Sequence, residues 1–163
     1  MDERDTVKRG HRHQRGFALR SARRSIPGQI YAVTTVTGER ERLFTDLGCA
    51  RALVKELAAA DAHGCSLTFA YVVMPDHLHW LFKLLDKDLS GLVRRTKSRS
   101  AIAINTLMDT PGKKIWQKGF YDHALRTEEG ILDVAEYIVE NPCRAGLVKS
   151  IYEYSHWDIQ FKA

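Results

Sequence analysis

The chain has 163 residues, a formal net charge of +5 and a sequence pI near 9.2, with 44% hydrophobic and 28% charged residues. That size suits one domain with a real core, no run is long and apolar enough for a membrane span, and the basic N-terminus is not followed by the apolar segment of a secretory signal. Cys49, Cys65 and Cys143 lack Cys-x-x-Cys spacing, so they read as reduced packing residues of a cytoplasmic protein rather than a disulfide set or a zinc knuckle.

Residues 1–25 are polar and rich in Arg and read as a basic, flexible arm, with residues 26–163 as a single domain. The positive charge fits a polyanionic partner. Pro27-Gly28 punctuates the start of the fold, and Gln29–Val36 alternates with the β-branched and aromatic content of a strand. Thr45 or Asp46 is an expected N-cap for a helix to about Ala62, with Leu47, Ala50, Leu53, Val54, Leu57 and Ala58 as its apolar stripe. His63-Gly64 ends it.

An apolar run from Leu67 to Met74 then leads through the tight turn Pro75-Asp76 into His77-Leu78-His79-Trp80-Leu81-Phe82-Lys83-Leu84. Strand side chains alternate between faces. Leu78, Trp80, Phe82 and Leu84 therefore share the expected core face, and His77, His79, Leu81 and Lys83 share the other. Two imidazoles two residues apart lie ~7 Å apart at Cα, close enough to converge on one metal ion. The competing reading is a pair of polar residues on a solvated strand face. A second His-x-His, His11 and His13, sits among arginines and reads as part of the basic arm.

Asp88 or Ser90 begins a second helix to about Met108, with Leu89, Leu92, Val93, Thr96, Ala103, Ile104 and Leu107 inward. Arg94, Arg95, Lys97 and Arg99 lie off that stripe, and Leu92–Thr106 contains no acidic residue. This is either a solvated face or a phosphate contact. Part of Trp116–Arg126 is an expected strand. A third helix is expected from an N-cap at Thr127 to Asn141, stopped by Pro142. Aromatic residues Tyr152, Tyr154, Trp157 and Phe161 of the tail are expected to pack back on the body. The order β, α, β-β, α, β, α suggests an α+β domain, ferredoxin-like, with helices packed on an antiparallel sheet.

Three blocks in this order, His77-Leu78-His79, Trp116–Arg126 and Tyr137–Val148, resemble the REP-associated tyrosine transposases, a bacterial branch of the single-tyrosine HUH transposases. The resemblance runs from about Pro27 to Trp157. It implies a metal-dependent single-strand DNA endonuclease and strand transferase acting at REP-like hairpins. His77 and His79 match the HUH histidines, which bind a divalent ion, Mg²⁺ or Mn²⁺. Tyr137 matches the nucleophile of the late helix. Related insertion-sequence transposases carry a Gln ligand four residues after that tyrosine; this chain has the shorter Asn141 there. Arg94, Arg95, Lys97, Arg99, His123, Arg126 and Arg144 are the candidate contacts to single-stranded or hairpin DNA. The REP-associated branch implies a monomer, the insertion-sequence relatives a dimer.

The residue types suit that chemistry. A metal can polarise a scissile phosphate, and a tyrosine hydroxyl, mostly protonated near neutral pH, needs activation before it attacks. Three rival readings remain at this level. Tyr121, near His123, is an alternative nucleophile. A hairpin-binding module without cleavage would use the same basic residues. A His-x-His-x-His nucleotide hydrolase would need a histidine where Leu81 stands.

Overall fold

A computed structural model describes residues 25–85, 88–126 and 130–160. The arm before Ser25, the expected cap Thr127 and the aromatic Phe161 lie outside the described residues. The elements are β1 (Ile30–Val36), α1 (Leu47–Ala62), β2 (Ser66–Met74), β3 (His77–Leu84), α2 (Leu89–Met108), β4 (Tyr121–Ala124), α3 (Ile131–Val139), α4 (Asn141–Arg144) and β5 (Trp157–Ile159). All strand pairs are antiparallel, in the order β4-β1-β3-β2-β5. The first four strands, with α1 and α2 as crossovers, make the ferredoxin-like arrangement. β5 extends it beyond β2.

Local signals set most boundaries. Asp46 caps α1 by accepting from Cys49 N at 2.9 Å, and Asp88 caps α2 by accepting from Ser90 N at 3.1 Å. Gly64 takes φ +71°, the left-handed exit a glycine allows without steric cost. The inner face of β3 behaves as its alternation requires: Leu78, Trp80, Phe82 and Leu84 are buried against Tyr31, Val33, α1 and α2. Trp80 Nε1 donates to Thr68 Oγ1 at 3.0 Å, and Asp61 accepts from Ser66 Oγ, Thr68 N and Thr68 Oγ1. The buried indole N–H and the strand start are thereby satisfied.

The outer face of β3 differs from the expectation. Leu81 is fully buried in a second core with Ala70, Val72, Met74, Leu125, Ala135, Ile138 and Val139. The sheet is thus covered on both faces, by α1 and α2 on one side and by α3 on part of the other. Ile131, Val134, Ala135, Ile138 and Val139 of α3 pack there while Leu132 is exposed, and Leu81 supplies the matching surface.

Further differences concern one element end and the buried faces of α1, α2 and the tail. α3 starts after Gly130 and ends at Val139; Asn141 opens the separate helix α4, with Pro142 in its first turn. Pro is well tolerated at a helix start, where its missing N–H is unneeded. Tyr137 and Asn141 therefore sit on successive helices, not on one helical face. In α1, Leu47 and Ala58 are exposed and Cys49, Ala52 and Ala60 are buried instead; in α2, Leu107 is exposed and Ser100, which accepts from Trp116 Nε1 at 3.1 Å, is buried. In the tail, Trp157 enters β5 and Tyr154 packs on the second core, but Tyr152 is largely exposed.

Leu81→Ala tests the second core. Loss of about 3 kcal/mol, within the range for a buried Leu→Ala change, is expected by urea denaturation. A loss below about 1 kcal/mol would mean that α3 contributes little to the fold.

Candidate active site

His77 and His79 project from the outer face of β3, at the end next to the Pro75-Asp76 turn. Their Nε2 atoms converge to 3.2 Å, with the rings edge-on at 90°. Each ring is held from behind. His77 Nδ1 donates to Asp76 Oδ1 at 2.6 Å, and His79 Nδ1 lies 2.8 Å from Thr34 Oγ1. Thr34 is the direct partner of His79 in the β1–β3 ladder.

Asp76 is itself restrained. Its Oδ2 accepts from Arg40 Nη1 at 3.2 Å. Its carbonyl accepts from Thr37 N and Thr37 Oγ1, both at 2.9 Å, and Phe44 N donates to Pro75 O at 3.0 Å. Glu39 and Arg40 take φ of 52° and 54°, an uncommon conformation for residues with a side chain, in the turn that carries Arg40 to Asp76. Burial acts to raise the Asp76 pKa, but the hydrogen bond and charge of His77, then Arg40, bring it below the ordinary carboxylate value.

His79 is held neutral. Burial pushes its pKa down to about 3, with the charges of His77 and Arg144 adding to the effect. A neutral imidazole whose other nitrogen is hydrogen-bonded is the form that ligates metal. Two nitrogens each ~2.1 Å from one ion lie about 3.0 Å apart at a right angle and about 3.4 Å apart at a tetrahedral angle. The 3.2 Å separation here matches such a bite. Among the described residues no group of three His, Cys, Asp or Glu side chains could hold an ion, so further ligands would come from other donors. Asn141 is half-buried at the start of α4 and donates Nδ2 to Ile138 O at 2.7 Å, leaving its oxygen as the possible ligating atom.

Tyr137 lies on α3 with 64% of its surface exposed. The Arg144 guanidinium stacks 3.7 Å from its ring centroid and donates to Tyr137 O. Arg144 also bridges to Glu140 at 3.6 Å. The charge of the same guanidinium is also among the causes that lower the His79 pKa. Tyr121, at 43% exposure, lies on the edge strand β4, opposite Thr34. A third tyrosine, Tyr154, donates its hydroxyl to Val73 O at 2.7 Å, and burial pushes its pKa up to about 12. That environment makes it a poor nucleophile.

The basic residues of α2 divide between two sides. Arg99 pairs with Glu56 of α1 at 2.8 Å, and Arg95 lies beside Cys65. Arg94 and Lys97 instead line a groove of about 540 Å³ with Lys113, Lys114 and Lys118, on the far side of the sheet from the histidines. Lys97 there donates to Gln117 O and Gly119 O. His123 and Arg126 are exposed, His123 on the outer face of β4. Asp76, Thr34 and Arg40 join the site without being candidates from the sequence. Asp76 was signalled by its place beside His77; Thr34 and Arg40 become visible only with the strand register.

Residues 25–141 match the family model described as Transposase IS200 like. The chain belongs to that family. It is 32% identical over 87 residues to the REP-associated tyrosine transposase of Escherichia coli K12; the match covers 52% of this chain and 49% of the relative, so the chain spans about half the length of that relative. A Haemophilus influenzae Rd relative is 23% identical over 144 residues, covering 79% of this chain and 78% of its own. Among solved structures, a REP-associated tyrosine transposase bound to a REP hairpin superposes with a TM-score of 0.65 at 26% identity, covering 83% of this chain and 79% of that one. A Deinococcus radiodurans protein shares the fold, with a TM-score of 0.52 at 20% identity over 72% of this chain and 93% of its own. No helix among the described residues is long and apolar enough to cross a membrane.

The short contact between His77 and Asp76 predicts a downfield imidazole N–H resonance in proton NMR that disappears in Asp76→Ala. Its persistence in the variant would mean that another acceptor orients His77.

Proposed function

We propose that the chain is a metal-dependent, single-strand DNA endonuclease and strand transferase acting at hairpins, with Tyr137 as nucleophile and residues 26–163 as its single nuclease domain. The reading is carried by the convergent His77–His79 pair, backed by Asp76 and Thr34, in a chain of this family. The hairpin-bound relative supports the substrate class. The basic arm, residues 1–25, and Arg94 of α2, with Lys114 and Lys118 of the same groove, supply phosphate contacts, whereas Arg99 is paired with Glu56 and Lys97 with two carbonyls, and the protein works in the cytoplasm as a monomer.

His77 and His79 would hold a divalent ion, Mg²⁺ or Mn²⁺, through Nε2, with Asn141 Oδ1 as a further donor. When bound, the ion supplies Lewis-acid polarisation of the phosphate and offsets the negative charge that develops there. The protein groups do the rest. Asp76 and Thr34 keep both rings aimed. The Tyr137 hydroxyl gives up its proton to water and attacks phosphorus in line, forming a Tyr–O–P bond as the P–O3′ bond breaks, and the departing 3′-oxygen takes up a proton from water. The products are a 5′-phosphotyrosine and a 3′-OH. Arg144, stacked on the Tyr137 ring, stands where it can neutralise the phosphate held on that tyrosine. A later 3′-OH can attack the same phosphorus and expel the tyrosine, so strands rejoin without ATP.

End-labelled hairpin oligonucleotides with Mn²⁺ or Mg²⁺ should give a covalent adduct that survives SDS. It should vanish with EDTA and in Tyr137→Phe, and persist in Tyr121→Phe. An adduct lost in Tyr121→Phe but kept in Tyr137→Phe would reassign the nucleophile. Tight hairpin binding with no adduct under any of these conditions would leave a DNA-binding module without cleavage. Asp76→Ala should weaken Mn²⁺ binding, measured by calorimetry, by about 10- to 100-fold. Unchanged binding would show that the ion sits elsewhere.

A further inference from the structure

Among the described residues α3 packs on β2, β3 and β5, and the outward residues of β4, Tyr121 and His123, are exposed. On β4's outward side, Leu125 just beyond the strand is buried in the second core, while Tyr121 and His123 are exposed. Tyr121 opposes Thr34, which opposes His79; His123 opposes Ala32, which opposes Leu81. Directly paired residues share a face. One row therefore runs Tyr121, Thr34, His79, its end Cα atoms about 10 Å apart, two strand spacings. Between Tyr121 and the histidine pair this strip carries Ala32 and Thr34, both small and half-buried, Ala32 against the second core, so it forms a low shelf there.

The strip presents no negative charge to repel a polyanion. The outward residues of β1, β3 and β4 include Lys83, His77, His79 and His123 and no carboxylate; Asp122 pairs with Val33 and points to the other face. An exposed ring offers a π-face that only an unpaired base can take, since duplex stacking hides the faces of paired ones. Aromatic side chains on an open sheet serve other nucleic-acid-binding domains in this way.

We propose that this shelf is the path of single-stranded DNA into the site, with the Tyr121 ring as the stacking platform for the unpaired base beside the phosphate at His77 and His79. The inference rests on the DNA-cleaving reading above and assigns Tyr121 a binding role in it. Stacking needs the ring and not the hydroxyl, which separates this role from that of a nucleophile.

The test uses the full chain carrying Tyr137→Phe, so that binding is read without turnover. The probes are a DNA hairpin with a single-stranded extension, 2-aminopurine being placed at successive extension positions, and the same hairpin with a blunt end. Adding Tyr121→Ala should weaken binding of the extended hairpin by about 5- to 150-fold and abolish the quenching of one 2-aminopurine position. Tyr121→Phe should retain both. Blunt-hairpin affinity should be the same in all variants. Tyr121→Thr, which keeps strand propensity without a ring, should repeat the alanine result if Tyr121→Ala is poorly folded by circular dichroism. Tyr152→Ala, which removes an exposed ring elsewhere, should change nothing. If the extended hairpin outbinds the blunt one and Tyr121→Ala and Tyr121→Thr alter neither affinity nor quenching, the shelf is wrong and the nuclease reading stands. If neither hairpin binds, the DNA reading fails and the shelf falls with it.

Discussion

β3 is hydrogen-bonded on both sides, to β1 and to β2, and its side chains alternate between two cores. A slip of one residue would exchange the faces of every side chain. It would drive His77 and His79 into the core beneath α1 and α2 and expose Trp80 and Phe82. The register is therefore enforced by burial on both faces, and the same register puts Thr34 opposite His79. The histidine pair inherits its geometry from the central strand of the sheet. That is where a site needing sub-ångström placement is best supported.

The turn before β3 extends this restraint to His77. Thr37 and Phe44 hold the Pro75-Asp76 backbone, and Arg40 holds the Asp76 carboxylate. The left-handed residues Glu39 and Arg40 are costly locally, and they occur in the loop that delivers Arg40. α3 plays a different part. By covering Leu81 it builds a second core and carries Tyr137 to the same sheet face. α4 then turns the chain so that Arg144 comes back over the tyrosine ring. Packing and candidate chemistry share these elements, so a lesion in the second core should affect both.

Basic residues counted along α2 overstate the surface open to a polyanion. Arg99 spends its charge on Glu56, and Lys97 donates to two carbonyls of the 113–120 segment. In return that segment brings Lys114 and Lys118 alongside Arg94, with Lys113 paired to Glu41. The outer strip beside the histidines is less charged and more aromatic. The two surfaces lie on opposite sides of the sheet, and in the proposed function the basic groove would meet phosphates and the outer strip unpaired bases.

Local patterning determined much of this protein. Alternation in Leu67–Met74 and His77–Leu84 marks the hairpin, Asp46 and Asp88 mark two helix starts, and the spacing of His77 and His79 places both rings on one strand face. These features depend on neighbours within a few residues, so they are legible without a fold. The pairing of Thr34 with His79, the meeting of Arg40 and Asp76, the burial of Leu81 and the row from Tyr121 to His79 are different. Each joins segments tens of residues apart through strand order and register, which no local preference encodes. The break between α3 and α4 was misread because Pro142 signals that a helix stops, while only the packed chain shows that it also begins another. Sequence thus marked the chemically able residues, and tertiary structure decided which of them face one another, because convergence at a site is a property of long-range packing.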